Sequence, residues 1–245
     1  GSRGEGPALR RTVARRPSPV STPRRFGRLA AGTPVIMMRP HPVLAALSLF
    51  ASTACGGSSN PIERAANQMS ATQFIQPYDM PAVTLTDQDG EAFDLRLDTR
   101  DQITVLFFGY TSCPDICPIT MASVARAVSL LEPEIRSHVG VLFVSLDANR
   151  DDPGRVKEWL STFDPAFVGV TGTQEQLDQT LEGLGFVMPP YEIPAEGFYE
   201  VPHPASLFVF TPERLGRFGL GHETTPEQIA QDLTVLSQAW WQDGA

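Results

Sequence analysis

The stretch Ile103–Thr120, ITVLFFGYTSCPDICPIT, decides how the rest of the chain is read. Its first seven residues form an unbroken apolar run ending in glycine, the pattern of a strand buried on both faces. Beyond Pro118 the apolar residues change to helical spacing (Ile119, Val124, Val128, Leu131), so a helix is expected over 118–132. Proline suits the first turn of a helix, where the missing N–H has no partner to lose. Cys113 and Cys117, four apart and each followed by proline, therefore flank a helix start at the end of a buried strand. Unpaired N–H groups and the positive end of the helix dipole gather there and favour thiolate over thiol. Thiolate is the form that attacks disulfides and binds soft metals.

Working outward, the elements alternate. VGVLFVSLD (139–147) reads as a second buried strand, and DDPGRVKEWLSTF as a helix opened by acids and a proline. FVGVTG is a short strand and TQEQLDQTLEGLG a helix closed by glycine, followed by a long Pro-rich loop from Met188 to Pro204. ASLFVF, a turn at TPERLG, and RFGLG form a hairpin, and a last helix runs from TTPEQIAQDL to about Trp241. Upstream, AVTLTDQDG alternates apolar and polar residues into an Asp-Gly turn, and EAFDLRL returns as its hairpin partner. Such an order gives a mixed sheet with helices on both faces. Cysteines between the first long buried strand and the next helix stand where thioredoxin-like folds carry their reactive pair. The expected fold is thus α/β, a thioredoxin-like mixed sheet flanked by helices with an N-terminal β-hairpin, over residues 81–241.

The segment ahead of this domain has its own signals. Residues 1–36 hold eight arginines and one acid, Glu5, among scattered Pro, Ser and Gly. A nucleic-acid-binding arm, a transit peptide, or sequence upstream of a start at Met37 or Met38 all fit such a run, and the last is preferred. Arg39 and the short apolar stretch Val43–Ala51 form a signal peptide over 37–54, too short to span a bilayer. The small residues Ser52, Thr53 and Ala54 lead into Cys55 and resemble a bacterial lipobox, which implies a lipid anchor on Cys55 and a periplasmic, membrane-attached protein. Residues 55–80 are polar at their start (GGSSNP) and are expected to be a tether.

Composition narrows the partners. Beyond the first 42 residues the chain carries 10 basic and 27 acidic residues, a net charge of −17. An acidic domain of this kind repels phosphate backbones, which argues against nucleic acid. The roughly 190 residues from Cys55 onward suffice for one domain with a real core.

Three chemistries suit the cysteine pair besides an inert pair or a structural disulfide. Thiol–disulfide oxidoreductases mostly space their thiols by two residues; here Pro114, Asp115 and Ile116 make three. The wider loop still closes a disulfide, and it also lets both sulfurs face one metal ion. A peroxiredoxin carries Pro-x-x-x-Thr-x-x-Cys before its attacking cysteine, but counting back from Cys113 gives Tyr110 and Leu106. A metal needs a third ligand. His138 lies at the wrong end of the sheet and reads as a solvated turn residue, and His41 lies in the signal. His203 precedes the hairpin's first strand and His222 follows its second, so topology permits both. Asp115 and Asp147 are acids placed to support the ligands, or simply loop acids and helix caps.

FFGYTSCPDICPIT, VLFVSLDANRDDP and YEVPHPASLFVFTPE together resemble the Sco/SenC copper proteins used in assembling cytochrome c oxidase, over roughly Pro81–Trp241. The resemblance implies that Cys113 and Cys117 are copper ligands and that His203 is the third, held on the long loop. It implies copper, Cu(I) or Cu(II), as the cofactor, and a copper chaperone rather than a strict enzyme. The expected partners are the copper-bearing subunit of the oxidase and another periplasmic copper carrier. A thiol–disulfide reductase that keeps the oxidase's copper-site cysteines reduced is the alternative. The family commonly has Asp before the histidine and Ser or Thr after it, whereas Pro202 and Pro204 stand there in this chain. Pro204 also falls where thioredoxins keep a cis-proline.

Overall fold

The computed structural model describes residues 60–195 and 197–241. The basic segment, the signal peptide and Cys55 lie outside the described residues. The described part opens with α1 (Pro61–Ala66), the strand β1 (Thr72–Asp79), and the hairpin β2 (Thr84–Asp87) and β3 (Ala92–Asp94). β4 (Ile103–Gly109), α2 (Ile116–Leu130), the single turn α3 (Pro133–Arg136) and β5 (Val139–Ser145) follow. Next come α4 (Pro153–Leu160), β6 (Val168–Thr171) and α5 (Gln174–Gly183). β7 (Leu207–Phe210), β8 (Leu215–Leu220) and α6 (Pro226–Trp241) complete the order.

Among the described residues, one mixed sheet holds all eight strands in the order β1-β8-β7-β4-β5-β6-β2-β3. β4, β5 and β6 are parallel, with Ile103 opposite Val139 and Gly109 opposite Ser145; the other neighbours are antiparallel. The fully buried β4 lies in the middle, as its unbroken apolar run requires. Alternate residues face opposite sides. Phe107 and Phe143 meet on one face at 6.3 Å, and Trp159 of α4 covers Phe143 at 4.8 Å. On the other face Phe108 and Phe208 meet at 6.0 Å, with Phe186, just past α5, at 5.5 Å from Phe208. Each buried aromatic contributes about 1.5–3 kcal/mol by leaving water. The thioredoxin-like arrangement with an N-terminal hairpin is therefore present.

Two expectations are corrected. The tether expected over 55–80 is folded from Pro61 onward. α1 is capped by the Asn60 side chain, which accepts the Ile62 N–H at 2.9 Å, and it packs on α6. β1 pairs with β8 at the sheet edge, and a register shift between Gln73 and Tyr78 interrupts its alternation. A bulged edge strand containing Pro77 leaves no period in the sequence, which is why it reads as linker. The carboxylate of Asp232 in α6 fixes this segment by accepting the N–H groups of Ser70 and Ala71 at 2.8 Å each. His138 is also not merely a solvated turn residue: its ring stacks on Trp241 at 4.2 Å, beside the start of β4. There is no cis peptide bond among the described residues, so the bond before Pro204 is trans. Among them, too, no helix is long and apolar enough to cross a membrane.

Candidate metal centre

β4 ends at Gly109, and the chain turns at once, with the Cys113 N–H donating to the Tyr110 carbonyl at 3.2 Å. Asp115 is the N-cap of α2, although its exposed side chain makes no capping bond. The helix starts at Ile116, two residues before the expected Pro118, so Cys117 lies inside its first turn. The Cys117 N–H points at Cys113 Sγ, 3.4 Å away. Both thiols are free.

His203 arrives from the other side of β4. Because β7 is antiparallel to β4, with Leu106 opposite Phe208, the loop ahead of β7 reaches the same end of the sheet as the cysteine turn. His203 Nε2 lies 3.5 Å from Cys117 Sγ, and its Nδ1 is 3.1 Å from the Pro204 carbonyl oxygen. With Nδ1–H donating to that carbonyl, Nε2 turns its lone pair toward the sulfurs. Phe107 and Tyr110 hold the ring edge-on at 5.9 and 5.8 Å. The ligand atoms of Cys113, Cys117 and His203 all lie within 4.8 Å of one another. A cleft of about 440 Å³, lined by Tyr110, Cys113, Asp115, Glu200 and His203 among others, opens the site to solvent.

Burial sets the protonation of this group. Cys117 is fully buried, and desolvation, reinforced by the hydrogen bond with Cys113, pushes its thiol well above the usual range. The thiolate expected from the helix start is therefore not favoured at Cys117; the apolar wall outweighs the dipole. Burial also lowers the His203 pKa, which keeps the imidazole neutral and able to ligate. A soft cation reverses the balance, because thiols deprotonate when they bind it.

The remaining candidates divide. Asp115 lines the cleft but is not part of the Cys113–Cys117–His203 cluster. Asp147 is fully buried, but it serves Arg150 and the Tyr199 hydroxyl, which donates to it at 2.8 Å. His222 lies exposed beside Glu223, at 3.3 Å, outside the cluster. Sequence reasoning missed Asp151, a buried carboxylate that accepts the Thr111 N–H and hydroxyl at 2.7 and 2.6 Å and the Ser145 hydroxyl at 2.5 Å. It pins the cysteine turn to β5. Its only sequence signal was an acid next to the α4 cap Asp152, which looks like another capping residue.

Gly109 leaves room for Cys117. A methyl group there would meet Cys117 Sγ and the Phe143 ring at 2.9 Å and the Phe107 ring at 3.2 Å. Gly109→Ala is expected to cost about 1–3 kcal/mol by overpacking. The variant should also lower metal uptake by displacing Cys117, although no ligand is altered. Denaturant unfolding and metal content of the variant check both effects.

The SCO1/SenC family matches residues 70–238. A candidate copper-binding protein of Stutzerimonas stutzeri is 32% identical over 192 residues, covering 78% of this chain and 92% of its own. The mitochondrial protein SCO2 of Saccharomyces cerevisiae is 32% identical over 159 residues, 64% of this chain, and the chain spans about half (52%) of that protein's length. The copper-bound structure of ScoI from Bradyrhizobium japonicum superposes with a TM-score of 0.57 at 28% identity, over 65% of this chain and 99% of that one.

Proposed function

Because the chain belongs to the SCO1/SenC family, we propose that it is a copper chaperone that holds the ion between Cys113, Cys117 and His203 and delivers it during assembly of cytochrome c oxidase. The observation that carries this reading is the donor set: two thiols and a neutral imidazole within 4.8 Å, at the foot of an open cleft. Two thiolates and an imidazole make a soft, low-coordinate site that suits Cu(I) and accommodates Cu(II). Structural zinc sites use a fourth protein ligand, and the cluster offers three. The copper bound to the Bradyrhizobium relative supports the same assignment. Placing one ligand on a loop suits a carrier, which must release its ion.

On this reading the acceptor is the copper-bearing subunit of the oxidase, the donor is another periplasmic copper carrier, and Cys55 anchors the protein to the membrane by lipid. The test is metal uptake by the purified, reduced protein. One copper per chain is expected, with Cu(II)–thiolate absorption when the ion is added as Cu(II); a chain that takes up none sinks the proposal. The anchor has its own test. Cys55→Ser should move the protein from the membrane to the soluble fraction, because stable attachment takes more than one lipid chain. Retention on the membrane after a high-salt wash would count against the lipid.

One observation favours a second reading, a thiol–disulfide reductase acting on the oxidase's cysteines. Cys113 and Cys117 are both free and in contact, and Cys113, at 9% exposure, is the thiol that reaches the cleft. Replacing His203 separates the two readings.

A further inference from the structure

We propose that Arg150 is a positioning residue that joins the two halves of the metal centre, and that its grip on Tyr199 determines where His203 stands. The proposal rests on the copper reading above. Arg150 lies in the turn after β5 and contacts neither sulfur nor imidazole. Its guanidinium carbon sits 3.5 Å from the centre of the Tyr199 ring and 5.5 Å from that of Tyr110. Its Nη2 donates to the Tyr199 carbonyl at 3.1 Å, and its Nε pairs with Asp147. Asp147 in turn accepts the Tyr199 hydroxyl at 2.8 Å. Tyr199 is thus held at its ring, its hydroxyl and its backbone by one ion pair. Tyr110 leads into the cysteine turn, and its oxygen also meets the backbone of Val201. One side chain therefore touches the segment that carries the cysteines and the segment that carries the histidine.

The short path from Tyr199 to His203 makes this grip consequential. Pro202 and Pro204 fix their own φ angles and restrict Val201 and His203 before them. Val201 is buried. Only Glu200 is left free to absorb a movement, so a shift at Tyr199 is passed on to the imidazole. Arginine suits the role because its planar fork stacks on a ring while donating sideways, which a lysine ammonium does not do. Asp147 gives the guanidinium a buried counter-charge, so it does not search for solvent.

The test uses Tyr199→Leu, which removes ring and hydroxyl and leaves the Asp147–Arg150 pair intact, with Tyr199→Phe and Arg150→Lys as milder variants. In the metal-free protein, Tyr199→Leu should shift the His203 ring resonances and speed amide exchange at Glu200, Val201 and His203. Cu(II) affinity should fall about tenfold to a hundredfold, the usual size of losses when a ligand's support is removed. Cu(I) affinity should change by less than about threefold, because both thiolates remain. Tyr199→Phe should fall between Tyr199→Leu and the wild type. Unchanged ring resonances and exchange in Tyr199→Leu would overturn the proposal, as would Cu(I) and Cu(II) affinities falling in parallel. If Tyr199→Leu does not fold, Arg150→Lys and Tyr199→Phe carry the same comparison. A wild-type chain that binds neither ion ends the copper reading, while amide exchange at Glu200, Val201 and His203 in metal-free Arg150→Lys, expected to be faster than in the wild type, still decides whether Arg150 holds the loop.

Discussion

Cys117→Ser is expected to abolish tight copper binding while leaving the fold intact. Cys117 is the one ligand that touches both others: its Sγ is 3.5 Å from His203 Nε2, and its N–H points at Cys113 Sγ. Serine replaces a soft sulfur that ionises on meeting a metal with a hard hydroxyl that does not, leaving one thiolate and one imidazole. The serine oxygen is smaller than sulfur and fits the space beside Gly109 and Phe143, so the loss of packing is about 1 kcal/mol. Loss of copper with a nearly unchanged unfolding midpoint is the expected pair of results. Cys113→Ser should behave alike toward copper. Near-full occupancy in either variant, measured against a competing chelator, would rule out the site.

His203→Ala should divide the two oxidation states and the two functions. Cu(II) favours nitrogen donors and loses its only one, whereas two thiolates still hold Cu(I). The expected result is loss of Cu(II)–thiolate absorption with Cu(I) uptake largely retained. A reductase asks something else of this residue. Disulfide exchange depends on thiolate fraction, nucleophilicity and access, to which the imidazole is at most an electrostatic aid. The Cys113–Cys117 disulfide should accordingly still form and be reduced in the variant. Complementation of an oxidase-assembly-deficient strain is the deciding measurement. Failure to restore the oxidase supports copper delivery; full restoration would make ligation by His203 dispensable and put the reductase first.

The legible parts of this molecule were those written in neighbouring residues. ITVLFFG and VGVLFVS announce buried parallel strands because both faces must be apolar. The strand-to-helix change at Thr111–Pro118 placed the cysteines at a helix start within two residues. His203 was harder: topology kept it level with His222, and the family resemblance chose between them. The structure separates them physically, one ring wedged between Phe107 and Tyr110, the other exposed beside a glutamate. What stayed illegible depends on contacts far apart in the chain. Asp147 looked like a ligand's helper until Tyr199, 52 residues away, claimed it. Cys117 was expected to be ionised by the helix start, yet it is fully buried, and the missing side chain of Gly109 is what leaves room for its sulfur. The β1 strand escaped notice because a bulge and a proline erased its period.

The folding of Pro61–Asp79 also sets a working radius. On the anchor proposed at Cys55, only five residues separate the lipid-bearing position from α1. Such a leash reaches at most roughly 20 Å, whereas a free chain up to Pro81 would reach roughly 85 Å. Pro61 also lines one groove with Gln238 and Ala239 near the far end of α6, the end where Trp241 stacks on His138 beside the start of β4. The cysteines and His203 lie at the opposite tip of β4. The domain would thus stand on the bilayer with its copper uppermost, diffusing in two dimensions. It would meet only those acceptors in its own membrane whose copper sites rise to about the same height.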